Sequence, residues 1–558
     1  MSSWATRFTL RRTSSRGIGK GRPPAYTGGM KITAWIALGV ALTLAPPRGA
    51  DVRASESVAH AAPLRFRLTA EPATLDWSMA RSSHETYVIM NLMEGLVSES
   101  PELHPQPALA QSWEMSPDGK TYTFQIRPGV KWSDGRVLKA QDFVDSWIRL
   151  LDAKTGSSYA SFLFDLENAD AFHSGRKKSS DVGVKALGDN KLQLKLKEPV
   201  PYFLHLLSFW VTFPIRSDLV KKHGSAWAKA PNLATLGPYL LEEWAPGKMI
   251  RLRRNPQYYG VAPGIERVEA RIEPDDGIAR RQFEAGELDF LLDATTGDLM
   301  KAASSGGRTR VEQFPYLVTY YLGFNLGGAR PLAEATIRKA LGSAIERDKI
   351  PSILQGGQVP AKGWIPPGLE GGSHEAWTVD SLFEARGALA KAGFTESEGF
   401  PKLRLWVEKF DGASKLGGFI QQSLHEKLGI ECSVRIADSA SEYQAALKAG
   451  KADLFVGHWG ADFPDAINFL EVFSAKSGTN ATGWKNAEYD RMLAGARMTL
   501  DPEARQRTYA LAEKTLVEKE AVIFPLFHRK NAVLLGSRIG EFRISPLNYL
   551  FLRDVSFR

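Results

Sequence analysis

Residues 108–164 read ALAQSWEMSPDGKTYTFQIRPGVKWSDGRVLKAQDFVDSWIRLLDAKTGSSYASFLF. A strand, two turns and a helix follow one another in that stretch. Tyr122, Phe124 and Ile126 alternate with Thr121, Thr123, Gln125 and Arg127, the period-two pattern of a half-buried strand, and the Pro117-Asp118-Gly119 turn precedes it. Trp132-Ser133-Asp134-Gly135 supplies a second turn. From Ala140 to Leu151, Phe143, Val144, Trp147, Ile148 and Leu151 recur at spacings of three and four, which predicts a helix with one apolar face.

Outward from this block, the 558 residues are 43% hydrophobic and 10% aromatic, enough for a large core and several domains. The formal charge of +9 invites a nucleic-acid reading, but its location argues otherwise. Residues 1–62 hold nine basic and two acidic side chains, which leaves +2 for residues 63–558 and no basic block suited to phosphates.

The excess charge belongs to an expected leader, residues 1–62. Lys31 precedes the apolar run Ile32 to Ala45, too short to span a bilayer and suited to a signal-peptide core. Ala59-His60-Ala61, or Ala62 beside it, offers a cleavage site, and Met30 is an alternative start. Arg11-Arg12 hints at twin-arginine export but stands far ahead of the apolar run. The single cysteine, Cys432, cannot build a disulfide, a thiolate zinc site or a lipid anchor after the signal, so the expected location is a periplasm, free of lipid attachment. Within GIECSVRI it reads as a buried structural thiol.

Other expected strands are Leu64–Thr69, Lys191–Lys197, Met249–Arg253 and Val268–Ile272, with Leu240–Trp244 returning to an earlier sheet after Gly237-Pro238-Tyr239. In the second half, strand Leu403–Val407, helix Ser414–Leu428, strand Glu431–Ile436, helix Ser439–Ala449 and strand Asp453–Gly457 form β-α-β-α-β. Such units build parallel sheets, whose ligands sit beyond the carboxyl ends of the strands. His458-Trp459-Gly460-Ala461-Asp462 stands at that place. Trp459 offers apolar contact, Gly460 close backbone approach, and Asp462 a charge for a cationic or peptide-like ligand. The spacing leaves a second reading open, with Trp459 in the core and Asp462 capping a helix that begins near Asp465.

The whole series of segments resembles the oligopeptide- and dipeptide-binding family of periplasmic solute-binding proteins, family 5, which serve ATP-driven importers. The resemblance rests on residues 108–164 together with Glu71-Pro72, Met93-Glu94-Gly95-Leu96, Glu198-Pro199-Val200-Pro201-Tyr202-Phe203, Gly237-Pro238-Tyr239, Arg254-Asn255-Pro256-Gln257-Tyr258-Tyr259, Ala285-Gly286-Glu287-Leu288-Asp289, Tyr321-Leu322-Gly323-Phe324-Asn325 and Arg338-Lys339-Ala340-Leu341. It implies an α/β fold of the class II binding-protein type: two lobes with mixed sheets, a hinge and an additional third domain. The implied division is 63–93, 216–316 and 530–558 for lobe I, 94–215 for the extra domain and 317–529 for lobe II. It also implies short peptides as ligands, inner-membrane permease subunits of an ABC importer as partners, a monomer, and no cofactor.

Trp459-Gly460-Ala461-Asp462 matches the family motif whose carboxylate pairs with the peptide ammonium, so the resemblance assigns that part to Asp462. Tyr320, Tyr321 and Asn325 fall where the chain crosses between lobes, there to contact ligand or only to form the hinge. The departures concern the other end of the ligand. Val456 stands where relatives that bind tri- to pentapeptides carry an Arg, and Leu447 occupies another basic position. Arg81 replaces a Glu in the loop before the expected Met93–Leu96 helix. Family members also take dipeptides, metal chelates, haem or sugars, or act as sensors and chaperones, so these ligands and roles stay as alternatives.

An enzyme is not expected. The ten histidines show no metal spacing, and GxSxG and phosphate-loop motifs are missing. Ser174-Gly175-Arg176-Lys177 and Lys476-Ser477-Gly478 are similar to serine acyl-enzyme motifs, without the intervening Ser-x-Asn or Tyr-x-Asn that a proton relay needs.

Overall fold

The structure is a computed structural model and describes residues 62–292, 294–304, 309–372 and 381–558. The expected leader, from Met30 and Lys31 through Ile32–Ala45, lies outside the described residues apart from Ala62.

One eleven-stranded mixed sheet organises the molecule. Ten strands run in the spatial order Cys432–Ile436, Leu403–Val407, Leu454–Gly460, Arg310–Phe324, Ile523–Leu535, Phe290–Leu291, Leu64–Leu68, Arg267–Ile272, Met249–Arg254 and Tyr239–Ala245; Val359–Pro360 pairs off this path with Ile523–Leu535. Two long antiparallel strands, Arg310–Phe324 and Ile523–Leu535, thus join the halves. Arg310–Pro315 lie opposite Leu535–Lys530, and Thr319–Gly323 opposite His528–Ile523, with an irregularity between Pro315 and Thr319. A two-strand connection that loses register in the middle can bend with little loss of packing.

The β-α-β-α-β unit forms as the pattern predicts. Leu403–Val407 pairs in parallel with both Cys432–Ile436 and Leu454–Gly460, and the helices Ala413–Leu428 and Ala440–Lys448 make the crossovers. The third strand runs three residues past its expected end, so His458, Trp459 and Gly460 are strand residues and not loop. The cause is tertiary: the ladder to the crossing strand continues to Val318 opposite Gly460. Cys432 is buried, and burial pushes its thiol up to about 11.

Residues 110–115 and 121–126 belong to a separate four-stranded antiparallel sheet, ordered Ala110–Met115, Thr121–Ile126, Lys191–Lys195, Val184–Ala186. Tyr122, Phe124 and Ile126 are buried on one face. The helix Ala140–Leu151 buries Phe143, Trp147, Leu150 and Leu151. Asp142, also buried, accepts from the Lys139 amide at 3.0 Å and from the Trp132 indole at 3.3 Å, tying the preceding turn to the first helical turn.

Met93–Leu96 is not the start of a helix. The helix is Ser83–Leu92; it ends at Met93 in extended backbone, and Arg81 precedes its first turn. Gly95 then packs so closely that a Cβ would stand 2.7 Å from the Leu207 carbonyl oxygen, which explains a glycine there.

Candidate ligand site between the lobes

Asp462 lies just beyond the end of Leu454–Gly460 and faces a small cavity of about 190 Å³. Opposite it, the cavity is lined by Arg81, Ser82 and Thr86 before and within the helix Ser83–Leu92, by Tyr159, and by Asn548 and Tyr549 near the carboxyl terminus. Segments far apart in sequence therefore converge on one carboxylate.

Burial pushes the Asp462 carboxyl up to about 6, opposed by a hydrogen bond from the Asn468 side chain. Asn468 organises the whole turn: its Oδ1 accepts from the Trp459 indole at 3.0 Å and from the Asp462 amide at 3.1 Å. Asp462 caps no helix: Ile467–Leu470 has Ala466 at its N-cap and no side-chain cap. Asp465 Oδ1 accepts from the Ile467 amide at 2.9 Å, and Arg505 stands 3.6 Å from its carboxylate, while Asp462 is left facing the cavity. An acid held at this depth without a cation beside it is costly when charged, and a ligand ammonium would offset that cost.

The strand leading to Asp462 offers a main-chain surface. Its parallel pairing with Leu403–Val407 covers Leu454, Phe455 and Val456 and stops there. Along Gly457–Gly460 that edge has no strand partner among the described residues, while the other edge stays paired to the crossing strand. Gly460 presents no side chain, and a Cβ there would stand 3.1 Å from a Val318 methyl and 4.0 Å from the Leu317 carbonyl oxygen.

The remaining expected residues divide. Ala461 and Arg81 line the cavity with Asp462. Trp459 is half-buried and tethered to Asn468. Tyr320 is buried between His458, 5.0 Å away and nearly parallel, and Phe527, with Phe410 tilted against it at 5.2 Å. His458 Nδ1 is 3.7 Å from Glu408 and its side chain is 43% exposed; partial desolvation and the charge of Arg529 draw the imidazole down, and desolvation draws the Glu408 carboxyl up. Tyr321 was expected at the crossing between lobes, there to contact ligand or only to form the hinge. It points to the opposite face of the sheet, buried edge-on against Trp364, Phe455 and Phe473. Asn325 is likewise structural, its amide donating to the Ala452 carbonyl at 2.9 Å and its Oδ1 accepting from Gly327. Tyr159, Asn468 and Tyr549 were missed. Only Tyr159 carried a signal, as the lone aromatic in the polar run Gly156-Ser157-Ser158.

Beyond the cavity, the halves meet again. Phe463 stacks on Tyr202 at 5.1 Å and edges onto Phe162 at 6.4 Å, and Arg497 donates to Glu471 at 2.6 Å while standing 3.5 Å from Asp165.

Two sheet-bearing halves joined by two strands, with an additional antiparallel domain and a cavity fed from both sides, define a two-lobed solute-binding protein of the periplasmic type. The chain belongs to the bacterial extracellular solute-binding proteins, family 5, whose middle-region model matches residues 104–481. It is 31% identical over 520 residues to the periplasmic oligopeptide-binding protein OppA of Salmonella typhimurium, covering 91% of this chain and 94% of that one. It is 30% identical over 526 residues to the probable deoxycholate-binding periplasmic protein YgiS of Escherichia coli, covering 92% and 97%. Among solved structures, the unliganded open form of the murein tripeptide-binding protein MppA aligns with a TM-score of 0.76 at 27% identity, over 89% of this chain and 97% of that one. Haemophilus influenzae OppA in complex with RPPGFSPFR aligns at 0.71 and 27%, over 88% and 98%.

Proposed function

We propose that this protein captures peptides with a free amino terminus and delivers them to the permease of an ABC importer. The open edge of Gly457–Gly460, leading to the Asp462 carboxylate on a cavity lined by residues from distant segments, is the observation that carries this reading. A peptide main chain adds to that edge as an extra strand, and its ammonium is held by Asp462. Arg81, across the cavity, faces the first ligand residue.

For the division at 63–93, 216–316 and 530–558, at 94–215, and at 317–529, the separate antiparallel sheets within 94–215 support the extra domain, and the loss of register after Pro315 supports a boundary between the two lobes. Closure draws the halves together around the peptide, and the ligand stabilises the closed form in proportion to its preference for it. The protein works as a monomer outside the cytoplasm, after removal of a leader near Ala62, and performs no chemistry on its ligand.

Calorimetric titration with a mixed tripeptide pool and its N-acetylated counterpart tests the reading. The free-amino pool binds the wild type, and Asp462→Ala weakens it while leaving any residual binding of the acetylated pool unchanged. Equal losses for both pools contradict the role given to Asp462.

A further inference from the structure

Two opposite charges line the cavity beside Asp462 without meeting. Of the residues on its walls only Arg81 and Asp462 are charged; the others offer hydroxyls, one amide, and apolar or aromatic groups. Arg81 is exposed and Asp462 half-buried, so a ligand in the cavity can reach both.

Neither charge is answered by the protein. Glu85, the nearest acid along the chain from Arg81, is already engaged: its Oε2 accepts from the backbone amides of Arg81 at 2.6 Å and Ser82 at 2.8 Å, and from the Ser82 hydroxyl at 3.1 Å. The Arg81 guanidinium itself has no hydrogen-bond or ion-pair partner among the described residues. Burial drives the Asp462 carboxyl up and the Asn468 side chain opposes it, with no cation acting on it. Both charges nevertheless bear on one group. Burial and then the charge of Asp462 push the Tyr159 phenol up, and Arg81 opposes them. Arg81 and Asp462 therefore flank the same small space.

At about 190 Å³ that space is below the roughly 300–1,000 Å³ that encloses a whole drug-sized ligand, so it takes the head of a longer one. A single amino-acid residue can answer both charges, because an α-ammonium and a side-chain carboxylate spring from the same Cα. A guanidinium holds a carboxylate through two parallel N–H donors.

We propose that the cavity selects peptides whose first residue is aspartate or glutamate, the α-ammonium pairing with Asp462 and the side-chain carboxylate with Arg81. This rests on the peptide reading of the same site and narrows its substrate class. A cationic first side chain is set against Arg81 across the same space and is disfavoured.

Calorimetric titration at pH 7.5 of the wild type and of Arg81→Gln with Glu-Ala-Ala, Gln-Ala-Ala, Lys-Ala-Ala and Ala-Glu-Ala is the test. The substitution keeps the backbone amide that donates to Glu85, and with it the start of the helix Ser83–Leu92. The wild type should bind Glu-Ala-Ala at least tenfold more tightly than Gln-Ala-Ala, and Lys-Ala-Ala most weakly; Arg81→Gln should abolish the difference between the first two. Equal affinity of the wild type for Glu-Ala-Ala and Gln-Ala-Ala, tighter binding of Ala-Glu-Ala than of Glu-Ala-Ala, or a glutamate preference that survives Arg81→Gln overturns the proposal. The wild-type comparisons decide it even where the variant does not fold. The two readings fail differently. Binding of Gln-Ala-Ala as tight as that of Glu-Ala-Ala, and lost in Asp462→Ala, removes the acidic selection and leaves the peptide reading standing, whereas no binding of any of the four overturns both.

Discussion

Asp462 titrates in a range where its role can be read from pH alone. Its carboxyl in the folded, ligand-free protein lies near 6, above its ordinary value of 3.8, so folding favours the neutral form. The sign follows directly: stability contributed by the neutral acid is complete below about 3.8 and is lost as pH rises through about 6, a loss of at most ~3 kcal/mol. Asp462→Asn therefore raises the melting temperature of the ligand-free protein at pH 7.5 and not at pH 4, which thermal denaturation at the two pH values measures. Binding has the opposite dependence, because only the carboxylate pairs with an ammonium. Peptide affinity should fall about tenfold per pH unit below 6 in the wild type, and Asp462→Asn should flatten that profile while weakening binding roughly a hundredfold or more at pH 7.5. A flat wild-type profile between pH 5 and 7 contradicts the assignment. The motif containing Asp462 was legible in sequence, since Trp459-Gly460-Ala461-Asp462 could be read as a ligand floor at the end of a parallel strand. Asn468, which fixes both Trp459 and Asp462, was not: a buried amide on a short helix has no sequence pattern of its own.

At the level of elements, the strand Leu454–Gly460 does two jobs, and its glycines separate them. A Cβ on Gly457 would stand 2.6 Å from the Tyr321 ring, whereas one on Gly460 would stand 3.1 Å from a Val318 methyl and 4.0 Å from the Leu317 carbonyl oxygen. Gly457→Ala should thus destabilise the fold, by about 1–3 kcal/mol as overpacking commonly does, measurable by denaturant titration. Gly460→Val should cost less stability than Gly457→Ala and bind peptide at least tenfold more weakly, because a branched side chain crowds the open main-chain edge on which the proposed peptide pairs. The strands of this region were visible in advance because alternation and β-α-β spacing are local properties. The extension through Gly460 was hidden, because a distant partner, Val318, lengthens the strand. Tyr320 and Tyr321 are neighbours on one strand and so face opposite sides of the sheet, which the two readings open to them in the sequence did not distinguish. Likewise the helix at Met93–Leu96 was expected from the resemblance alone; the helix ends at Leu92, and Gly95 packs closely on Leu207.

Across the whole molecule, closure is supported by contacts that need not touch ligand. Phe463 against Tyr202 and Phe162, and Arg497 between Glu471 and Asp165, bridge segments more than 250 residues apart. Such aromatic pairs contribute about 0.5–1.5 kcal/mol each beyond their buried area. Phe463→Ala should lower peptide affinity several-fold by favouring the open form, keep the preference for free over acetylated amino termini, and enlarge the radius of gyration of the ligand-free protein in small-angle scattering. Loss of that preference would mean that Phe463 shapes the site itself. The two-lobed architecture was legible from the order of many individually weak segments along the chain, while the cavity facing Asp462 was not, because it arises where segments distant in sequence meet. The central claim, that the solute is a peptide held through its amino terminus, is tested most directly by native mass spectrometry of the protein purified from a periplasm, followed by release and identification of what it carries. A ladder of short peptides with free amino termini is the predicted result, and a single non-peptide mass, such as a steroid amphiphile, would contradict it.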